Sequence, residues 1–163
     1  MTTDAPPLPS QAPANWWEAF PSPLAQADKM TTQELKEMML DATKEGEKGT
    51  EKRFLVVDVR RTDFEVLDLL YVVHQDSFIK GAINLPAHSF HPTLPSLLPI
   101  LSQYALVIFH CQSSSGRGPR CAGWYQDLLN ERSIQSSKAV VLEGGIKKWR
   151  LENGEDERFE IKL

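Results

Sequence analysis

The sequence has few of the features that mark secreted, membrane-spanning or metal-binding proteins. It contains two cysteines in 163 residues, which is too few for a disulfide framework. Its four histidines have no metal-ligand spacing with those cysteines. No apolar run approaches the roughly 20 residues of a membrane span, and the first residues do not resemble a secretory signal. We therefore expect a protein of the cytoplasm, the nucleus or both, with no bound metal.

Basic charge is also not in excess. The net charge is −4, whereas nucleic acids and anionic membranes attract a basic face. No Gly-x-Gly-x-x-Gly motif and no phosphate-loop lysine motif is present, so we expect neither NAD nor ATP. Neither nucleic acid nor a membrane is an expected partner. The length supports one domain with its own core, and no pattern indicates an oligomeric state.

The composition divides the chain into three parts. Residues 1–14 hold four of the eleven prolines and predict a disordered tail. Residues 15–29 begin with "NWWEAF" and predict a strap packed on the domain's own surface, or alternatively a partner-binding motif. Residues 30–163 are predicted to form the domain.

Short apolar runs alternate with helical patterns along this domain. The strand-like runs are "RFLVVDV" (53–59), "GAINLP" (81–86), "YALVIFHC" (104–111) and "KAVVL" (138–142). Helical spacing follows over 31–46, 118–132 and from about 146. Because the strands are apolar throughout, the sequence predicts an α/β fold with a central, mostly parallel sheet and helices on both faces.

The stretch "HCQSSSGRGPRC" (110–121) separates the most apolar strand from a helix. Ligands of open α/β sheets bind at this end of the strands. Backbone N–H groups of residues 112–117 and the following helix N-terminus can bind an anion, and Arg117 offers a planar pair of donors. The same positive field favours the thiolate of Cys111. The loop therefore predicts a nucleophile next to an oxyanion site, rather than a buried structural cysteine.

This loop resembles the His-Cys-x5-Arg loop of the rhodanese-fold dual-specificity phosphatases of the cell cycle, and that of the eukaryotic arsenate reductases built on the same fold. "VVDVRRTDFE" resembles the Asp-x-Arg motif of rhodanese domains, and "VVLEGGIKKW" resembles their closing Leu-x-Gly-Gly motif. The resemblance covers roughly residues 30–153, and small fungal rhodanese-domain proteins are similar overall. It implies a rhodanese-like fold and chemistry on phosphate or arsenate.

The resemblance also implies roles for individual residues. Cys111 is the nucleophile and Arg117 clamps the oxyanion, while His110 orients the loop or is simply a core histidine. Asp58 and Arg60 brace the loop. The oxyanion-binding loop consists of Gln112, Ser113, Ser114, Ser115, Gly116 and Arg117.

Several functions stay open. The five residues between Cys111 and Arg117 match the phosphate and arsenate branch, because sulfurtransferases have a loop shorter by one. Gln112 stands where the phosphatases carry a Glu, and Asp63, Glu65 and Glu143 are other candidate acids. The leading prediction is a protein-tyrosine or dual-specificity phosphatase that forms a phosphocysteine. An arsenate reductase is second, and a sulfurtransferase or a non-catalytic phospho-binding module is third.

The expected substrate is a phosphorylated protein or a small oxyanion. No cofactor is expected, apart from an external thiol such as glutathione for arsenate reduction. Cys121 is predicted to be a packed helix residue, with a resolving thiol as the alternative. Residues 66–75, "VLDLLYVVHQ", interrupt the family spacing. We interpret them as an inserted segment, with a retained intron as the alternative.

Overall fold

The computed structural model describes residues 15–44, 53–61 and 77–162. The predicted tail (1–14) and the segment 66–75 lie outside these residues, as do Asp63 and Glu65. A 3-10 turn at Trp16–Ala19 precedes the first strand. The strands are β1 Asp28–Met30, β2 Phe54–Asp58, β3 Ser77–Ile79, β4 Ile83–Asn84, β5 Leu106–His110, β6 Lys138–Leu142 and β7 Glu160–Lys162; the helices are α1 Thr32–Lys44, α2 Ala87–Leu101, α3 Arg117–Glu131 and α4 Gly145–Asn153.

The central sheet has five strands in the order β1-β6-β5-β2-β4. Every pair in this sheet is parallel. β5 lies in the middle, and its last residue, His110, is the partner of Asp58 at the end of β2. The predicted α/β fold with a mostly parallel central sheet is confirmed. β3 and β7 form a separate antiparallel pair.

The two faces of the sheet carry separate cores. Val107 and Phe109 of β5 pack in the core formed with α2 and α3, whereas Ile108 packs in the core formed with α1 and α4. Alternate residues of one strand therefore serve opposite layers, and that explains why the strand is apolar throughout.

Four elements were absent from the sequence prediction. They are α2 and the short strands β1, β3 and β7. β1 lies at the end of the segment predicted as a strap, and it pairs with β6 at the edge of the sheet. Within the described ranges, no helix is both long and apolar enough to cross a membrane.

The parallel sheet gathers three chain segments at its carboxyl edge. β2 ends at Asp58 and β5 ends at His110, immediately before Cys111. β6 ends at Leu142, and the turn that follows leads into α4. The first turn of α3 returns to the same edge, because only six residues separate β5 from α3. The predicted loop is therefore surrounded by backbone from three neighbouring strands.

Candidate active site

The start of the loop is held by the N-terminus of α4. The carbonyl of Cys111 accepts a hydrogen bond from the N–H of Ile146 (3.0 Å), and that of Gln112 accepts one from Lys147 (3.0 Å). Gly145 permits this approach, because a Cβ there would lie 2.5 Å from the Cys111 oxygen and 2.6 Å from the Gln112 oxygen. Gly145 also has φ +61°, a conformation that glycine adopts without steric cost. The "EGG" of the closing motif thus positions the cysteine loop.

The middle of the loop turns sharply towards α3. Ser114 has φ 54°, a left-handed conformation that few non-glycine residues adopt. The hydroxyls of Ser113 and Ser115 lie 2.8 Å apart at the surface. The Ser114 hydroxyl is buried and has no hydrogen-bond partner among the described residues. The turn brings Arg117, the first residue of α3, back beside Cys111.

Cys111 and Arg117 open into one cavity of about 420 Å³. Cys111 is a free thiol with 3% of its surface exposed. None of the described residues that line this cavity is acidic. They are Trp16, Trp17, His88, Cys111, Ser113, Ser115, Gly116 and Arg117. The arrangement places a cysteine thiol, a guanidinium and a helix N-terminus around a space that suits an oxyanion.

Trp16, Trp17 and His88 are the cavity residues that the sequence analysis did not assign to the site. The pattern "NWW" indicated packing but gave no location, because about 95 residues separate it from Cys111. His88 belongs to α2, an element that the sequence analysis missed. In the structure the ring of Trp16 lies 4.4 Å from that of His88.

Asp58 and Arg60 lie beneath the strand ends and contact each other directly. The Arg60 guanidinium donates from Nε (3.0 Å) and Nη2 (2.7 Å) to the buried Asp58 carboxylate. Nη2 also donates to the carbonyl of Ser77 at 2.9 Å. The N–H of Val59 between them donates to the carbonyl of His110 (2.9 Å). The pair thus braces the edge from which Cys111 emerges, without entering the cavity.

His110 is completely buried between this pair and the loop. Its Nδ1 lies 3.3 Å from the Cys111 carbonyl, and its Nε2 lies 4.0 Å from Asp58 Oδ2. Burial lowers the pKa of His110, against the opposing attraction of Asp58, so the imidazole is neutral at neutral pH. Burial raises the pKa of Asp58, but the opposing effects of its neighbours are larger, so the net pKa is below its usual value. Because a neutral His110 carries no charge, we assign the stabilisation of that carboxylate to Arg60.

Cys121 and Arg120 lie on α3 outside the cavity lining. Cys121 is completely buried in the core. Burial raises the pKa of its thiol, and the neighbouring Cys111 raises it further, so Cys121 is a protonated, packed residue. The guanidinium of Arg120 lies 4.4 Å from the centroid of the Trp17 ring, at a cation–π distance.

Other candidate groups lie away from the cavity. Glu143 is exposed and is not among the residues that line it. In the part of the chain that the structure describes, no cluster of three or more His, Cys, Asp or Glu side chains could hold a metal ion.

Comparisons with known proteins match this fold. The family model described as "Rhodanese-like domain" matches residues 31–152. "Arsenate reductase 2.2" of rice (Oryza sativa subsp. japonica) is 35% identical over 101 residues, which cover 61% of this chain and 71% of that protein. "M-phase inducer phosphatase 1" of Bos taurus is 32% identical over 98 residues, which cover 55% of this chain but only 18% of that protein.

A solved structure gives the same result at the level of the fold. The structure of Ygr203w, described as a yeast protein tyrosine phosphatase of the Rhodanese family, superposes with a TM-score of 0.60 and 25% identity. The superposition covers 84% of this chain and 93% of that one.

Proposed function

Because this chain belongs to the rhodanese-like domain family, as its motifs predicted, we propose that it is an enzyme of oxyanion chemistry that uses Cys111 as a nucleophile. Its proposed reaction is the hydrolysis of aryl phosphate monoesters, such as phosphotyrosine in a protein, through a phosphocysteine. The observation that carries this proposal is the single cavity into which Cys111 and Arg117 both open. The similarity to a phosphatase and to an arsenate reductase agrees with this class of chemistry.

The reaction requires two displacements at phosphorus. The Cys111 thiolate attacks in line, an S–P bond forms, and the P–O bond to the aryl group breaks as the aryl oxide leaves with its electron pair. Arg117 and the loop N–H groups stabilise the charge on the equatorial oxygens. Water then attacks the phosphocysteine, which releases inorganic phosphate and regenerates the thiolate. No cofactor takes part in this scheme.

The cavity favours an aryl leaving group over an alkyl one. Gln112 cannot donate a proton, and no acidic residue lines the described cavity. An alkoxide such as that of serine needs a general acid to leave at a useful rate. An aryl oxide is a much weaker base, so its departure depends much less on an acid. The proposal is therefore restricted to aryl esters.

Arsenate reduction is the second candidate, and it is favoured by the similarity to the rice arsenate reductase. In that reaction the Cys111 thiolate forms an S–As bond and one arsenate oxygen leaves as water. An external thiol such as glutathione then attacks the cysteine sulfur. The two thiols become a disulfide, and arsenic takes up the two electrons and leaves as arsenite.

The proposal is tested by the hydrolysis of 4-methylumbelliferyl phosphate under fully reducing conditions. We expect the wild type to turn over the substrate and Cys111→Ser to lose at least about three orders of magnitude in kcat. Cys121→Ser is the matched control, because it makes the same change at a buried cysteine outside the cavity. It should retain activity.

If the reduced wild type does not hydrolyse 4-methylumbelliferyl phosphate, the phosphatase proposal is refuted. Arsenate with glutathione is then the next substrate, with disulfide formation followed through glutathione reductase and NADPH.

A further inference from the structure

The lining of the cavity is made of two chemically different groups of residues. One group is Cys111, Arg117 and small residues of the loop, and the other is the aromatic residues Trp16, Trp17 and His88. Its volume of about 420 Å³ falls in the range of about 300–1,000 Å³ typical of sites for organic ligands. A phosphate or arsenate ion carries groups that suit only the polar part of this lining, whereas an aryl phosphate carries groups that suit both parts.

We propose that Trp17 is a specificity-determining residue, whose indole stacks on the aryl group of a phosphate ester bound at Cys111. This inference rests on the proposed function, and it names the feature that distinguishes aryl esters from small oxyanions. Trp17 is half-buried, and it is one of the residues that line the cavity. Stacked aromatic pairs are stabilised beyond the area that they bury.

The segment that carries Trp17, residues 15–27, is firmly attached to α3. The indole N–H of Trp124 donates to the carbonyl of Pro21 at 2.7 Å. The backbone N–H groups of Leu24 and Ala25 each donate to the Asp127 carboxylate at 2.8 Å. This attachment gives Trp16 and Trp17 a defined position beside the cavity.

Close packing fixes the same segment at Gly123. A Cβ on Gly123 would lie 2.6 Å from Pro23 Cβ and 2.8 Å from the Ala25 carbonyl oxygen. Only a residue without a side chain therefore allows the segment to lie this close to α3.

Trp16 and Arg120 pack against Trp17. The ring of Trp16 lies 4.4 Å from that of His88, 6.3 Å from that of Trp124 and 5.8 Å from that of Trp17. Arg120 approaches the Trp17 ring to 4.4 Å. Among the described residues, Trp16 is in ring contact with four other aromatic side chains, whereas the ring of Trp17 contacts only Trp16 and Arg120. We therefore assign the contact with a ligand to Trp17.

The test measures binding rather than turnover, so that it does not depend on the chemical step. In the Cys111→Ser background, phenyl phosphate and inorganic phosphate are titrated by calorimetry. We expect phenyl phosphate to bind about 10-fold more tightly than phosphate. Adding Trp17→Ala should abolish this preference and leave the affinity for phosphate unchanged, and Trp17→Phe should restore most of it.

Leu24→Ala is the matched control, because Leu24 lies on the same segment, is 92% exposed and does not line this cavity. It should leave the preference intact. An equal affinity for both ligands, or a preference that survives Trp17→Ala, would overturn the inference even if aryl phosphates are hydrolysed. Failure of both ligands to bind would instead overturn the oxyanion site itself, and the inference with it. If the wild type shows no hydrolysis but the protein binds phenyl phosphate more tightly than phosphate, and this preference depends on Trp17, only the proposed hydrolysis is refuted.

Discussion

At the scale of single residues, the shape of the cysteine loop depends on residues that never enter the cavity. Gly145 lets two N–H groups of α4 bind the carbonyls of Cys111 and Gln112. Asp58 and Arg60 fix the neighbouring strand end by a buried, charge-assisted pair. Mutations at these positions are therefore expected to alter the site without removing a group that contacts the substrate.

Replacing Gly145 by Ala should disrupt both stability and activity. The new Cβ would collide with the carbonyls of Cys111 and Gln112 and would require φ +61°. Gly81→Ala is a matched control, because Gly81 also has a positive φ (+82°) but nothing lies within 4 Å of its Cβ position. We expect the control to lose about 1 kcal/mol, and Gly145→Ala about 2 kcal/mol more. Urea unfolding and the aryl phosphate assay measure both effects, and equal losses for the two variants would contradict this account of the loop.

His110 should make the stability of the protein depend on pH in a defined direction. Because burial lowers its pKa, the unfolded chain takes up a proton at a higher pH than the folded protein. The stability contributed by the neutral imidazole is present above the unfolded pKa of about 6.5 and is lost as the pH falls towards the lowered, folded pKa. The other histidines are common to the wild type and His110→Gln, so their contributions cancel in the difference between the two.

Urea unfolding of the wild type and His110→Gln between pH 7.5 and 5 isolates this effect. As the pH falls, the free energy of unfolding of the wild type should decrease relative to that of His110→Gln. A difference that does not change with pH would show that His110 has the same pKa in the folded and the unfolded protein.

At the scale of elements, α2 shows how prolines and apolar periodicity compete. Its solvent side carries Pro92, Pro95 and Pro99, all exposed, while Phe90, Leu94 and Leu98 are buried. Each proline removes one backbone N–H. The carbonyls that lose a donor belong to His88, His91 and Pro95, none of which is fully buried. The helix is stable despite its prolines because its apolar side is buried against the sheet and α3.

Pro95→Ala should therefore stabilise the protein. Alanine restores the N–H that bonds to the carbonyl one turn earlier, and it removes the clash of the proline ring with that carbonyl. We expect an increase of about 1–3 kcal/mol in the free energy of unfolding. Ser96→Ala, at the adjacent exposed position, is the control for helix propensity alone. A Pro95→Ala variant no more stable than this control would show that the prolines fit the native helix without strain.

The elements found from sequence are those whose pattern is local. β2, β5 and β6 are continuous apolar runs, and the spacing of Cys111 and Arg117 identified the loop without any tertiary information. α2 was missed because its three prolines read as helix breakers, although Phe90, Leu94 and Leu98 repeat every four residues. β1 was missed because three residues, two of them exposed and charged, become a strand only through pairing with β6.

At the scale of the whole molecule, the site is assembled from distant parts of the chain. Trp16, His88 and Cys111 come from the N-terminal segment, α2 and the loop after β5. No local pattern reports that these three residues meet, because their contact depends on how the helices pack on the sheet. The net charge of −4 likewise does not predict the charge of the cavity, whose described lining has an arginine and no carboxylate. The position of the loop at the end of β5 was therefore predictable, whereas the aromatic lining of the cavity was not.

The ten residues 66–75 should be dispensable for folding. Arg60 donates to the carbonyl of Ser77 at 2.9 Å, so the described chain on the two sides of this stretch is held within the length of one arginine side chain. Deletion of 66–75 leaves five residues between positions 61 and 77, which can span about 20 Å. The shorter connection also loses less entropy on closure, by about 1 kcal/mol. We expect the deletion variant to unfold cooperatively, with a free energy of unfolding equal to that of the wild type or up to about 1 kcal/mol higher.

A variant in which a ten-residue Gly-Ser sequence replaces 66–75 separates the effect of length from that of composition. It should match the wild type in stability, because it restores the length of the connection. None of the described cavity residues belongs to this stretch, so both variants should keep whatever aryl phosphate hydrolysis the wild type has. Loss of cooperative unfolding in both variants would show that the apolar side chains of "VLDLLYVVHQ" are part of the folded core. In that case the segment is a working element of the domain, and its interpretation as a retained intron would be wrong.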